Sequence, residues 1–177
     1  LGAIAKEYGL YICGGGVVEE VKEFPDRWFN TNFIVGPSGD VVLRYHKWHI
    51  PAYIGLGTSP HDMFDEYCEV FGGDIKTLFP VIDTEIGKLG TMTCHDGCTP
   101  EVSRALGFNG AEVICHPGAI QEFEGVSEPW DFWMFTRRTR AHDNMAYLLG
   151  SNWGTVNYDY YPKAFCPGHS FAIDYTG

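Results

Sequence analysis

The sequence predicts an α/β fold built around a mixed sheet. Short apolar runs typical of strands alternate along the chain with segments of helical periodicity. Several of the strand pairs are separated by tight-turn residues, which indicates hairpins added to strand–helix–strand units. The chain has 177 residues, 45% of them hydrophobic, and no low-complexity linker divides it. We therefore expect one domain over residues 1–177.

The first part of the chain is predicted to hold a helix end followed by three strands. Residues 1–8 have a helical pattern, and Gly9 provides the usual C-terminal stop. An apolar strand follows at residues 10–15. Residues 32–35 and 41–45 flank the turn sequence Gly-Pro-Ser-Gly-Asp, so they are expected to form a hairpin.

The rest of the chain alternates loops, strands and helices. Residues 49–73 are rich in glycine, proline and aromatic residues and are predicted to be a long loop that forms one wall of a pocket. Residues 79–93 are predicted to be a strand hairpin. The remaining predicted elements are a helix at 100–108 stopped by Asn109-Gly110, a strand at 111–116, a helix at 130–143, and strands at 145–151 and 168–174.

Charge and hydropathy exclude several classes of partner. The formal net charge of −11 repels nucleic acid and anionic membrane surfaces, so neither is expected to bind. No apolar run approaches the roughly 20 residues that span a bilayer, and the first residues lack the layout of a signal peptide. The six cysteines lack the short-range spacing of a disulfide framework, which favours a reducing cytoplasm.

Metal and cofactor sites are not predicted. Cys94 and Cys98, with His95 and Asp96 between them, carry metal-ligating atoms at close spacing. Structural zinc sites usually require two such clustered pairs, however, and the sequence has only this one. We therefore expect neither a metal nor an organic cofactor.

Cys94 is the candidate nucleophile, because it lies where an apolar strand meets the start of a helix. The sequence from Gly90 to Glu101 is Gly-Thr-Met-Thr-Cys-His-Asp-Gly-Cys-Thr-Pro-Glu, in which Thr99 and Pro100 are typical first residues of a helix. Backbone N–H groups at such a junction favour a thiolate and a developing oxyanion. The alternative is an inert buried thiol, which is the commoner role of cysteine.

Lys47 is the candidate for the positive charge that amide hydrolysis requires. Acyl transfer needs a nucleophile, a base, and donors where the carbonyl oxygen becomes negative. Lys47 follows a β-rich run and has aromatic and apolar neighbours on both sides, and the backbone N–H of His95 would be a second oxyanion donor. The alternative for Lys47 is an edge-strand lysine whose ammonium group reaches solvent.

Several ordered segments together resemble the nitrilase or carbon–nitrogen hydrolase superfamily. They are residues 5–15, 45–51, 66–74, 90–101, 109–117 and 140–144, and they keep the family's order and approximate spacing over nearly the whole chain. The resemblance implies a four-layer α-β-β-α sandwich and a Glu-Lys-Cys catalytic set, often with a second glutamate. It also implies a homodimer or a larger homo-oligomer.

The resemblance assigns catalytic roles to particular residues of this chain. The nucleophile corresponds to Cys94, the lysine to Lys47, and the second glutamate to Glu66, with Glu69 as its rival. In the family the base glutamate lies in a Pro-Glu segment upstream of the helix with which this chain begins. We therefore expect a domain truncated at both ends, whose general base lies outside these residues.

The implied reaction is hydrolysis of a small amide or N-carbamoyl amine through a cysteine thioester, with release of ammonia. Nitrile-cleaving members commonly have Cys-Trp-Glu at the nucleophile, whereas this chain has Cys94-His95-Asp96, which is closer to the amidase branches. The alternatives are a nitrile hydrolase, a non-catalytic scaffold member, a thiol acyltransferase, and a redox-active protein using Cys94 and Cys98.

Overall fold

The computed structural model describes residues 1–51, 57–119, 131–154 and 168–177, and these contain two β-sheets with helices outside them. The strands are β1 (Ile12–Glu20), β2 (Trp28–Val35), β3 (Val41–His46), β4 (Val81–Thr84), β5 (Gly87–Thr91), β6 (Val113–Gly118), β7 (Tyr147–Asn152) and β8 (Phe171–Ile173). The α-helices are α1 (Gly2–Tyr8), α2 (Phe64–Phe71), α3 (Ile75–Leu78), α4 (Pro100–Phe108) and α5 (Phe132–Asn144). Two 3₁₀ turns span Pro60–Met63 and Cys94–Cys98.

The two sheets differ in strand direction. The smaller sheet is antiparallel in the order β1-β2-β3. The larger one has the order β4-β5-β6-β7-β8, in which β5, β6 and β7 are parallel and the edge strands β4 and β8 are antiparallel to their neighbours. The predicted mixed sheet is therefore confirmed.

The sheets pack face to face, with polar contacts between them near the ends of β2 and β5. Asn32 of β2 is buried, and its Nδ2 donates to Thr91 Oγ1 and to the Met92 carbonyl, each at 3.0 Å. Tyr45 of β3 is the register partner of Asn32, so both side chains point to the larger sheet. Lys47 lies two residues after Tyr45 and continues this inward face.

Helices cover the outer faces, which completes the α-β-β-α arrangement. On the larger sheet, Val102 and Leu106 of α4 belong to the same buried cluster as Ile114 and Leu148 of the strands. On the smaller sheet, aromatic side chains of α2 contact β2 and β3: the Tyr67 hydroxyl is 2.8 Å from His46 Nδ1, and the His46 and Phe29 rings stack at 4.6 Å. The predicted fold class is thus confirmed.

The long loop predicted over residues 49–73 is wrong in part. Ser59 and Asp62 cap a 3₁₀ turn, with Ser59 N–H donating to Asp62 Oδ2 at 2.9 Å, and α2 follows directly. Tyr67 and Phe71 are one helical turn apart and pack against the smaller sheet, so tertiary contact stabilises a helix that the glycine- and proline-rich composition of residues 49–73 obscured. Residues 52–56, also within that predicted loop, lie outside the described residues.

Strand β1 extends further than predicted, from Ile12 to Glu20, and has an irregular register between Gly14 and Val17. The helix predicted from residue 130 begins at Phe132, and residue 130 lies outside the described part of the chain. None of the helices in the described ranges has both the length and the apolarity that a bilayer crossing requires.

Candidate active site

Cys94 occupies a strained turn between the larger sheet and α4. It is the first residue of the Cys94–Cys98 turn and has φ +48°, in the left-handed region that costs a non-glycine residue about 1–2 kcal/mol. The sequence predicted that Cys94 lies directly at the start of α4. The structure corrects this, because the 3₁₀ turn intervenes and α4 begins at Pro100.

Two buried side chains hold the main chain of Cys94 in this conformation. Arg137 Nη2 donates to the Cys94 carbonyl oxygen at 3.0 Å, and His116 Nε2 lies 3.0 Å from the same oxygen. Burial lowers the pKa of His116 to about 3, and the charge of Arg137 contributes to that lowering. His116 is therefore neutral, and because a carbonyl only accepts, its single proton is on Nε2.

Asp96 links this turn to the segment after β3. Its carboxylate is fully buried and accepts from the Tyr45 hydroxyl at 2.8 Å, the His49 N–H at 2.8 Å and the Thr93 N–H at 3.0 Å. Burial raises the pKa of Asp96, while these hydrogen bonds and the charge of Lys47 oppose the rise. Asp96 thereby ties the residues flanking Lys47 to the residue preceding Cys94.

Lys47 and Cys94 line the same cavity. Lys47 is 4% exposed, and its main-chain N–H donates to the Asn30 carbonyl at 2.9 Å, which extends the pairing of β2 and β3 by one residue. The cavity measures about 580 Å³ and lies where β1 and β2 face the ends of the parallel strands. Its described walls are residues 13–16, 30, 47, 93–94, 117–119 and 151–153.

The described walls of this cavity mix apolar and neutral polar groups and carry almost no charge. Asn30, Ser151 and Asn152 supply neutral polar groups, and Lys47 is the only ionic side chain among the described lining residues. Those residues include neither a carboxylate nor an imidazole. The cavity therefore combines a thiol and an ammonium group without a proton-transferring base among its described walls.

Glu66 is not brought to this cavity. It lies on α2, is exposed, and is absent from the described walls around Cys94 and Lys47. The reason is the packing of α2, which buries Tyr67 against the smaller sheet and leaves the neighbouring Glu66 facing away. Its rival Glu69 is exposed on the same helix. The expectation that Glu66 shares a site with Cys94 is therefore not met by this geometry.

The side chain of His95 faces a second cavity. That cavity measures about 430 Å³, and its described lining also includes His49, His61 and Asp62. Burial lowers the pKa of His95, with smaller contributions from the charges of Lys47 and His49. An oxyanion role for His95 thus concerns its backbone N–H, which follows the nucleophile directly, and stays a prediction.

The residues considered as metal ligands do not form a cluster. Within the described ranges, no group of three or more His, Cys, Asp or Glu side chains is positioned to hold a metal ion. Cys13, Cys68, Cys94, Cys98 and Cys115 are free thiols in the described part of the chain.

The sequence did not point to His116 or Arg137 as partners of the turn Cys94–Cys98 (the cysteine turn); Arg140 and Asn144 entered as the ends of the family-like segment 140–144. Arg140 Nη1 lies 3.5 Å from Asp143 Oδ2, and Asn144 Nδ2 donates to the Arg140 carbonyl within α5. The Asn144 side chain also packs against Gly107, so it lies at the interface between α5 and α4. Arg137 instead reaches the turn. A usable signal was present, since Arg137 precedes the buried Ala141 by four residues and so lies on the inward face of α5.

Comparison with known proteins places these observations in a family context. The sequence model described as "Carbon-nitrogen hydrolase" matches residues 1–177. "Omega-amidase NIT2-B" of Xenopus laevis is 28% identical over 148 residues, which is 84% of this chain and 49% of that protein. The chain thus spans about half the length of this curated relative.

Solved structures show the same fold. A carbon–nitrogen hydrolase from Helicobacter pylori G27 superposes with a TM-score of 0.75 at 24% identity, covering 99% of this chain and 58% of that one. A variant of the amidase from Nesterenkonia sp. AN1 gives a TM-score of 0.70 at 18% identity, covering 99% and 57%. In that structure the acetamide moiety of fluoroacetamide is covalently added to the active-site cysteine.

Proposed function

This chain belongs to the carbon–nitrogen hydrolase family, and we propose that it hydrolyses a small amide or N-carbamoyl amine with Cys94 as the nucleophile. The observation that carries the proposal is the cavity whose walls include both the strained Cys94 and the buried Lys47. A nucleophile on a strained turn and a cation at the same cavity are two of the three kinds of group that acyl transfer requires, the third being a base.

In the first step the Cys94 thiolate attacks the amide carbonyl carbon, and the carbonyl oxygen becomes negative. The Lys47 ammonium and the N–H of His95 stabilise that oxygen, and each donor of this kind lowers the barrier by about 3 kcal/mol. The support for Lys47 is its burial, because a buried ammonium acts on the oxyanion with less screening than an exposed one.

The following steps need a group that moves protons. A general acid protonates the departing nitrogen, ammonia leaves, and a thioester remains on Cys94. The conjugate base then takes a proton from water, the resulting hydroxide attacks the thioester, and the acid product leaves with regeneration of the thiolate. We propose that this base is a glutamate outside residues 1–177, consistent with described cavity walls that hold no carboxylate.

The substrate class follows from the cavity lining and from the relatives. Neutral polar side chains suit a neutral polar amide, and Lys47 is the only charge among the described walls. The Xenopus laevis relative carries the name omega-amidase, and the Nesterenkonia enzyme is an amidase with an adduct on its cysteine. These names support an amide over a nitrile.

We propose in addition that the chain is part of a single hydrolase domain that forms a homodimer in the cytoplasm. Phe132 and Phe135 of α5 are 45% and 66% exposed. An apolar helix face of this kind suits contact with a second copy. A reducing cytoplasm suits a nucleophilic thiol, which must stay reduced to act.

The test is a screen of the protein at its natural length with small linear amides, N-carbamoyl amines and nitriles, in which ammonia release is measured. We expect release from amides or carbamoyl amines and a mass increase equal to the acyl group on Cys94 when the reaction is quenched early. Turnover without any acyl adduct, or full activity in a Cys94→Ala variant, would contradict the proposal.

A further inference from the structure

The guanidinium of Arg137 is fully buried and lies next to the main chain of Cys94. Its Nη2 donates to the Cys94 carbonyl at 3.0 Å, its Nη1 donates to Thr136 Oγ1 at 2.6 Å, and its Cζ lies 4.7 Å from the centroid of the Trp133 ring. Hydrogen bonds in the plane of the guanidinium, together with the Trp133 ring against its face, fix the orientation of the Arg137 side chain. Such a geometry is specific to the planar guanidinium and is not available to lysine.

The turn itself is shaped to admit Arg137 and His116. A Cβ added at Gly97 would lie 2.8 Å from His116 Cε1 and 3.1 Å from Arg137 Nη2, closer than side chains normally approach. The absence of a side chain at position 97 therefore allows both groups to reach the carbonyl of Cys94. The two donors then stabilise the positive φ of that residue.

The charge of Arg137 has no carboxylate partner in the described residues. The ion pairs found there involve Glu19, Asp96 and Asp143, and none includes Arg137. Burial lowers the pKa of Arg137, while its interactions with the Cys98 thiol, which include a hydrogen bond, and to a smaller extent with Cys94 oppose that change. Because burying a cation without an anionic partner is costly, negative charge that develops at the Cys94–Cys98 turn during a reaction would be stabilised by Arg137.

Of the two thiols, Cys94 is the one that lines the cavity. Cys98 is absent from the described walls of the Cys94 cavity, and burial raises the pKa of its thiol. The neutral His116 shares the carbonyl contact but supplies no charge. The electrostatic contribution on this side of the turn therefore comes from Arg137.

We propose that Arg137 is a positioning residue for the nucleophile: it holds the main chain of Cys94 in its strained conformation and places a buried positive charge beside the turn on which the Cys94 sulfur reacts. The inference rests on the proposed function in taking Cys94 as the nucleophile. The two cations then have different roles: Lys47 stabilises the substrate oxygen, whereas Arg137 acts on the nucleophile through the main chain of Cys94.

The test measures thiolate formation separately from turnover. Arg137→Ala, Arg137→Lys and, as a matched control, the exposed Arg138→Ala of the same helix are made in the protein at its natural length. Alkylation of Cys94 by iodoacetamide is followed by mass spectrometry as a function of pH, alongside ammonia release and thermal unfolding. For Arg137→Ala we expect the pH midpoint of alkylation to rise by about one unit, so that the rate at neutral pH falls about tenfold.

Chemical rescue distinguishes charge from hydrogen bonding. Guanidinium at sub-denaturing concentration should restore the alkylation rate of Arg137→Ala, whereas urea, which has a similar shape and no charge, should not. In Arg137→Lys the charge remains but the two planar donors do not. We therefore expect a midpoint near that of the unmodified protein with a reduced kcat and a nearly unchanged KM.

The outcomes separate this inference from the proposed function. A folded Arg137→Ala variant with an unshifted alkylation midpoint overturns the role of Arg137, as does equal rescue by urea and guanidinium. If the alanine variant does not fold, a full-unit rise in the midpoint of Arg137→Lys overturns the charge role, and an unshifted midpoint with reduced kcat supports it. If alkylation depends on Arg137 while no amide is hydrolysed, the inference stands and the proposed reaction fails.

Discussion

The family resemblance placed Cys94 and Glu66 in one catalytic set, but the cysteine turn that holds Cys94 and the helix α2 that carries Glu66 have different surroundings in the structure. Cys94 is held by side chains from β6 and α5, and its neighbours are bonded to the segment after β3 through Asp96. Glu66 lies exposed on α2, whose contacts with the smaller sheet are made by Tyr67 and Phe71. A residue that must act on substrate is expected to be positioned as Cys94 is, by several elements at once.

The two regions differ in how firmly the functional side chain is held: the turn of Cys94 is ordered, whereas the Glu66 side chain can rotate. Buried hydrogen bonds fix the turn at Cys94 because leaving those donors and acceptors unpaired would cost free energy. An exposed glutamate on a helix keeps its rotamer freedom and its hydration, so nothing in its surroundings selects one position. The largest effects of mutation are therefore expected at the turn and the smallest on the exposed face of α2.

Removal of the thiol is expected to have the largest effect. Cys94→Ala should reduce amide hydrolysis by at least about 10⁴-fold, because loss of the nucleophile abolishes the thioester route. Ammonia release measures the loss, and circular dichroism should show an unchanged fold. Cys68→Ala, a substitution on α2, is the control and should retain activity. Comparable losses of activity in Cys94→Ala and Cys68→Ala would show that the cysteine turn and α2 do not differ in their importance for catalysis.

Removal of the buried Lys47 ammonium should have the second-largest effect on activity. Lys47→Met keeps the length and apolar stem of the side chain but removes the charge, and kcat should fall about 10²–10³-fold through loss of one oxyanion contact. The exposed Lys88→Met on β5 is the matched control. A change in KM with kcat preserved would assign Lys47 to substrate binding instead.

Asp96 should contribute more to stability than an exposed aspartate does. Asp96→Ala leaves the Tyr45 hydroxyl and the N–H groups of His49 and Thr93 without their acceptor, so the free energy of unfolding should fall by about 3 kcal/mol or more. Urea denaturation measures the change, with the exposed Asp83→Ala as control. A similar small loss in both variants would show that Asp96 does not join the two segments.

The neutral His116 should make stability depend on pH. Its pKa is about 3 in the folded state, below the ordinary histidine value, so the unfolded chain binds the proton first as pH falls. Stability from this group is present above about pH 6.5 and is lost as pH falls toward 3, by at most about 1.4 kcal/mol per pH unit. The raised pKa of Asp96 acts in the opposite direction.

Comparison of His116→Gln with the unmodified protein isolates the histidine contribution, since glutamine can still donate to the Cys94 carbonyl but does not titrate. The variant should show a flatter dependence of unfolding free energy on pH between about 6 and 4. The exposed His142→Gln should keep the original slope. An unchanged slope in His116→Gln would mean that His116 is protonated in the folded state.

The smallest effect is expected at Glu66. Because the side chain is exposed and lies outside the described walls of the Cys94 cavity, Glu66→Gln should change kcat/KM by less than about twofold and stability by less than about 0.5 kcal/mol. Glu69→Gln is the comparison on the same helix. A loss of about a hundredfold in Glu66→Gln alone would place Glu66 in the catalytic set after all.

Local patterns in the sequence were enough to predict the strand pairs and both long helices. The hairpin of β2 and β3 follows from its Gly-Pro-Ser-Gly-Asp turn, and the end of α1 from Gly9, which has φ +63° as a left-handed helix stop requires. Helix α2 was missed, because its stability comes from aromatic contacts with β2 and β3 that its own composition does not reveal.

The sequence by itself determined the chemical groups at the site: a thiol after an apolar strand and a lysine after another. It did not determine which groups of the chain support them. Asp96, His116 and Arg137 lie 2, 22 and 43 residues from Cys94 along the chain. The bonds of Asp96 to Tyr45 and His49, and those of His116 and Arg137 to the Cys94 carbonyl, form only when the sheets and α5 pack together. The tertiary structure decided their roles, because burial removes competing water and selects the few side chains that satisfy the strained main chain of Cys94.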